Sequence, residues 1–217
     1  MSRALEPQLR AGLQALELAL DEAQITALLD YVDLIQKWTR VYNLTAVRDP
    51  QDMLTHHLLD SLAVVRPLRQ QLAALGRDES VRVLDVGAGA GLPGVVLAIC
   101  CPSMTVHCVD TVAKKAAFVQ QAAVSLKLPR LRGIHARVES LTEPYDVVCS
   151  RAFASLADFT QWSVGAIAPL GVWMAMKGKH PAAELLALDP AVQVFHVEPL
   201  QVPGLDAERC LVWMRRA

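Results

Sequence analysis

Val81-Arg82-Val83-Leu84-Asp85-Val86-Gly87-Ala88-Gly89-Ala90-Gly91-Leu92-Pro93-Gly94 is the stretch whose reading decides the fold. Its first six residues are nearly all apolar and read as a short buried strand. The glycines then let a ligand approach the backbone where this strand gives way to a helix. Pro93 suits the first turn of that helix, which is expected to run to about Cys101. Outward from here strands and helices alternate. Strands are expected at Thr105–Val109, Leu131–His135, Tyr145–Cys149, Gly171–Met176, Val192–Val197 and Arg209–Met214, with helices at Val112–Leu126 and Leu156–Ala166. Such alternation means a mainly parallel sheet covered on both faces. The last two strands lie too close for a crossover helix, so one of them is expected to run antiparallel.

Upstream, residues 1–76 read as a helical extension to a core at 77–217. Leu13, Leu16 and Leu20 recur at helical spacing, and Ile25, Leu28, Leu29, Val32, Ile35 and Trp38 make a clearer stripe. Asp21 with Gln24 has capping-box spacing, and Asp49-Pro50 reads as a cap followed by proline at the first helical position. A further stripe, Leu54, Leu58, Leu62 and Val65, runs up to Pro67.

The chain has 217 residues, a formal charge of -1 and 53% hydrophobic residues, which excludes a disordered or generally polycationic protein while leaving room for a local basic patch. Five Cys without a CxxC pair make no zinc cluster and a poor disulfide framework, so buried thiols in a reducing compartment are expected. The apolar windows 86–109 and 159–176 are interrupted by Gly and Pro and read as buried elements joined by turns, giving a soluble cytoplasmic protein with no membrane span.

Asp110, at the end of the second strand, can accept hydrogen bonds from ribose hydroxyls, so loop and carboxylate together make an adenosine site at the carboxyl edge of the sheet. The run Gly89 to Gly94 matches the dinucleotide GxGxxG pattern, which keeps an NAD-dependent oxidoreductase as an alternative. Asp85 favours the other choice. A carboxylate two residues before the first glycine would repel a pyrophosphate and suit the ammonium and sulfonium of S-adenosyl-L-methionine. A glycine turn with no ligand would leave both acidic strand ends as coincidence.

Longer motifs then carry a family resemblance over nearly the whole chain. They are Tyr42-Asn43-Leu44-Thr45-Ala46-Val47-Arg48-Asp49-Pro50, His57-Leu58-Leu59-Asp60-Ser61, Asp85 to Gly94 and Ala136-Arg137-Val138-Glu139. Ser150-Arg151-Ala152-Phe153-Ala154-Ser155-Leu156, Met176-Lys177-Gly178 and Val202-Pro203-Gly204-Leu205-Asp206-Ala207-Glu208-Arg209 complete the set. In these the sequence resembles the bacterial 16S rRNA guanine-N7 methyltransferase family RsmG (GidB, glucose-inhibited division protein B). The resemblance implies a class I, Rossmann-like methyltransferase fold with a seven-stranded sheet behind the helical extension. It also implies S-adenosyl-L-methionine as donor, and as substrate a guanine near the decoding centre, in 16S rRNA or in the 30S subunit or its precursor. A monomer is expected.

The residues expected to hold the cofactor are Asp85, Gly87, Gly89, Gly91, Leu92 (closing over the ligand), Asp110, Val138, Glu139 and Arg151. Val138, Glu139 and Arg151 rest on the resemblance. Arg48, Lys177, Lys179 and Arg209 are expected at RNA phosphates. No metal is expected: His56 and His57 have no accompanying ligand set, and a pair between His57 and Asp60 is the plainer reading. No general base is assigned, because guanine N7 has a free lone pair and no proton to remove. A noncatalytic RNA- or ribosome-binding module is the remaining alternative.

Overall fold

The computed structural model describes residues 2–77 and 80–217. Within them the N-terminal part is helical: α1 (Glu6–Ala15), α2 (Glu22–Tyr42), α3 (Pro50–Met53), a π-helical turn (Leu54–Leu59), α4 (Asp60–Leu62) and α5 (Val65–Ala74). Asp21 and Gln24 form the capping box of α2, each side chain bonded to the other's backbone N–H. Asp49 caps α3 by accepting from the N–H groups of Gln51 and Asp52. Two expectations change. Leu16 and Leu20 lie beyond α1, since Glu17 at φ 53° turns the chain out of the helix. Pro67 stops nothing: it sits in the first turn of α5, where its missing N–H costs no intrahelical bond.

The core follows as β1 (Arg82–Val86), α6 (Gly94–Cys100), β2 (Thr105–Asp110), α7 (Ala113–Ser125), β3 (Leu131–His135), β4 (Tyr145–Arg151), α8 (Leu156–Ser163), β5 (Ile167–Lys177), α9 (Ala182–Leu186), β6 (Val192–Pro199) and β7 (Cys210–Arg216). The seven strands are ordered β3-β2-β1-β4-β5-β7-β6. β7 is antiparallel to both β5 and β6, and the other pairings are parallel. β5 begins earlier than the Gly171 start expected from sequence, and the short helix α9 was not foreseen.

The period-two alternation of β1 divides the core. Leu84 and Val86 pack with Val109, Val148 and Phe159 on one face. Val83 lies on the other, where Val106, Val147 and α6 share a continuous apolar cluster with Leu28, Leu29, Val32 and Ile35 of α2. The helical extension therefore completes the core of the sheet. No helix among the described residues is long and apolar enough to cross a membrane.

Candidate active site

The site lies along the carboxyl ends of β1, β2, β4 and β5. Gly87 and Gly89 both adopt positive φ, 66° and 59°. The two glycines answer to different demands. A Cβ on Gly87 would lie 2.3 Å from the Phe153 ring, so this glycine admits the aromatic side chain that follows β4. A Cβ on Gly89 would find nothing nearer than the Gly87 carbonyl at 4.0 Å, so the space over this glycine is open.

Asp110 organises the same loop. Its Oδ2 accepts from the Gly89 N–H at 3.0 Å and its Oδ1 from the Val112 N–H at 2.9 Å. A carboxylate offers about four acceptor positions, so these two N–H bonds do not exhaust it, and Lys115 Nζ lies 3.7 Å from Oδ2. Asp85 takes a different place from the one expected. It is fully buried beneath α6, in register with Cys108 and Cys149, and its Oδ2 accepts from the Gly94 N–H at 2.8 Å. It pins the end of the loop and is not part of the cleft wall. Its Oδ1 has no N–H or O–H partner among the described residues, and burial raises its pKa to about 7. Gly91 is likewise structural: a Cβ there would lie 2.5 Å from Val95 Cγ2. Tyr31, in α2, donates its hydroxyl to the Ala90 carbonyl at 2.5 Å and so braces the loop from the extension.

Two compartments meet at Gly87 and Ala152. One, of about 400 Å³, is lined by Asp110, Val112, Lys115, Val138, Glu139 and the rings of Phe153 and Trp162. Those rings meet edge to face at 5.8 Å. Glu139 is held by Arg137 at 2.8 Å, while Val138 is buried in the wall. The other, of about 460 Å³, is lined by Gly89, Leu92, His57, Asp60, Arg151, Lys177 and Arg209. Leu92 is buried in this wall. Ala152, between the compartments, has φ 51°, a conformation L-residues adopt at a cost of about 1–2 kcal/mol.

Arg151 was expected at the cofactor or the target, and it lies in the larger compartment. Its Nη1 donates to Asp60 Oδ2 at 3.0 Å and to the His56 carbonyl at 2.9 Å. Arg209 Nε donates to the other oxygen of Asp60 at 2.8 Å. His57 does not pair with Asp60. Its Nε2 lies 2.8 Å from Thr45 Oγ1, and burial, reinforced by Arg151, lowers its pKa to about 4. Lys177 is also engaged within the protein, donating to Glu184 Oε2 at 2.8 Å and to the Ala154 carbonyl at 2.9 Å. Lys179 is exposed beyond the strand, and Arg48 donates to Asn43 Oδ1 at 2.8 Å away from both compartments. Among the described residues no group of three or more His, Cys, Asp or Glu side chains is placed to hold a metal.

Phe153 and Trp162 carry no expectation from the sequence, and Asp60 is read there only as a partner for His57. Asp60 and Phe153 lie inside quoted motifs, which was the available signal. Trp162 falls on no motif and is brought in by α8.

A profile for the family described as rRNA small subunit methyltransferase G matches residues 24–212. Over 213 residues the chain is 69% identical to a ribosomal RNA small subunit methyltransferase G of Polaromonas sp. (strain JS666), covering 98% of this chain and 94% of that protein. The protein of the same name from Methylibium petroleiphilum is 57% identical over 216 residues, covering 99% of this chain and 96% of its own. In fold, the chain is similar to the crystal structure of magnesium protoporphyrin IX methyltransferase from Synechocystis PCC 6803 with bound SAM. The TM-score is 0.60 at 14% identity, over 91% of this chain and 98% of the other. With a profile match spanning the glycine loop, both cleft compartments and most of the helical extension, the chain belongs to the rRNA small subunit methyltransferase G (GidB) family.

Proposed function

We propose that this protein transfers a methyl group from S-adenosyl-L-methionine to N7 of a guanine in 16S rRNA near the decoding centre, acting in the cytoplasm, as a monomer, on the rRNA, the 30S subunit or its precursor. The observation that carries this reading is the two-compartment cleft in a chain of this family. Its smaller half offers a carboxylate and aromatic rings, and its larger half offers two guanidiniums. Family membership replaces the dinucleotide alternative.

The residues present fit the cofactor. Open space lies over Gly89, and Asp110 retains acceptor positions for ribose hydroxyls. Val138 and Phe153 supply apolar surface for a base in the same compartment. When bound, the cofactor supplies an electrophilic methyl on a sulfonium. Guanine N7 carries a free lone pair and no proton, so the chain would need no general base. What the chain must supply is therefore alignment of N7 with the methyl–sulfur bond, in keeping with an orientation mechanism. The arginines on the wall of the larger half would meet the negative backbone of an entering nucleotide.

The experiment is to map N7-methylated guanines in rRNA from cells with the gene deleted and restored. Loss of one methylated guanine in 16S rRNA on deletion, and its return with the gene, is the expected result. An unchanged methylation map would overturn the reading.

A further inference from the structure

Asp60 is a nearly buried carboxylate, with 3% of its side chain exposed, on the wall of the larger compartment. It directly follows the π-helical turn Leu54–Leu59, an irregularity that often marks a functional site. Its two oxygens are both used, and by residues far apart in the chain. Arg151 is 91 positions away, at the end of β4, and Arg209 is 149 away, just before β7. One carboxylate thus joins the helical extension, the middle of the sheet and the start of its antiparallel strand β7. Each guanidinium is also anchored to a carbonyl, Arg151 to His56 and Arg209 to Glu208. A guanidinium has five N–H donors in a fixed plane, so anchoring some of them sets the direction of the rest. The charges do not cancel, since two cations face one anion.

We propose that Asp60 is a positioning residue for methyl transfer. It holds Arg151 and Arg209 in fixed orientation on the target side of the cleft, so that the nucleotide meets preorganised donors. The proposal rests on the rRNA methyltransferase reading above. Charge alone would draw RNA in without Asp60, and would do so better. Orientation is what Asp60 adds. A merely structural salt bridge would change the melting temperature and leave turnover per folded molecule untouched.

The test is Asp60→Asn, which keeps shape but presents an NH2 to one of the two guanidiniums. Steady-state methylation of the rRNA substrate, binding of S-adenosylhomocysteine and RNA binding over a salt series are measured on folded protein. The expected result is a kcat lower by roughly ten- to a hundredfold, the scale of a small misplacement at a reacting centre. Cofactor affinity should be unchanged, and RNA affinity undiminished with a salt dependence at least as steep, since a negative charge has been removed. If Asp60→Asn does not fold, Arg209→Lys decides. It keeps the charge, loses the Nε–H donor, and should lower kcat with the salt slope intact. Wild-type kcat in either folded variant would overturn the positioning role while the functional reading stands. A wild-type protein that transfers no methyl to rRNA would overturn both.

Discussion

Replacing Asp110 with Asn tests the ribose assignment with the smallest change in shape. The native carboxylate gives one acceptor position to the Gly89 N–H and one to the Val112 N–H, at 3.0 and 2.9 Å. Asn has a single acceptor oxygen. Whichever backbone N–H it serves, the other faces an NH2, and one oxygen is lost to the cofactor. A hydrogen bond to a charged group is worth about 1.5–3 kcal/mol. At about 1.4 kcal/mol per decade, affinity should fall roughly ten- to 150-fold. Calorimetry with S-adenosylhomocysteine reads the loss, and circular dichroism with a thermal melt verifies that the variant is folded. The backbone side of the defect adds to the loss by loosening the loop at Gly89. A folded Asp110→Asn protein with wild-type affinity would refute the reasoning, and the adenosine end would then have to lie elsewhere in the cleft.

Asp85 and His57 should pull stability in opposite directions with pH. Burial raises the Asp85 pKa to about 7, so the native state takes up its proton more readily than the unfolded chain, and stability falls as pH rises from about 4 to 7. Burial lowers the His57 pKa to about 4, so stability rises between about 4 and 6.5. The two slopes offset below about pH 6.5. Asp85→Asn should expose the rising slope and His57→Gln the falling one, each by about 3–4 kcal/mol across its window, in urea melts of the ligand-free protein. Parallel profiles for both variants would contradict the assignment. Lys179→Ala should flatten the dependence of log RNA affinity on log salt by roughly 0.7–0.9. Lys177→Ala should act mainly on stability through its lost tie to Glu184, and equal salt effects would show that Lys177 also reaches phosphate. Each single Cys→Ser variant that folds should retain methyl transfer. All five thiols are buried, and burial raises the pKa of Cys108 and Cys149 beside Asp85. Lost turnover with normal binding would point to a covalent step.

Much of the architecture was legible because it is written in short-range patterns. The capping box of Asp21 and Gln24 involves neighbours three apart, and the stripe of α2 follows the helical period. Apolar runs of strand length bounded by Gly and Pro gave the sheet, and Leu131–His135 forms over the stretch expected. The missing crossover between the last two strands foretold an antiparallel partner, found as β7. Asp110 could be named because a carboxylate at a strand's carboxyl end lies beside the glycine loop whenever the two strands are parallel neighbours.

Tertiary structure alone decided what the charged side chains touch. Asp85 reads from the sequence as a ligand group, but strand alternation turns it to the buried face under α6, where the Gly94 N–H meets it. Lys177 reads as free charge until α9 brings Glu184 against it. His57 and Asp60 have the spacing of a helical pair, yet each finds its partner elsewhere, one in Thr45 and the other in Arg151 and Arg209. The physical reason is range. Helix periods, caps and turns depend on residues a few positions apart. Asp60, Arg151 and Arg209 are joined only after β4 has been inserted beside β1 and β7 has folded back against β5, and that order of strands is set by the packing of the whole core.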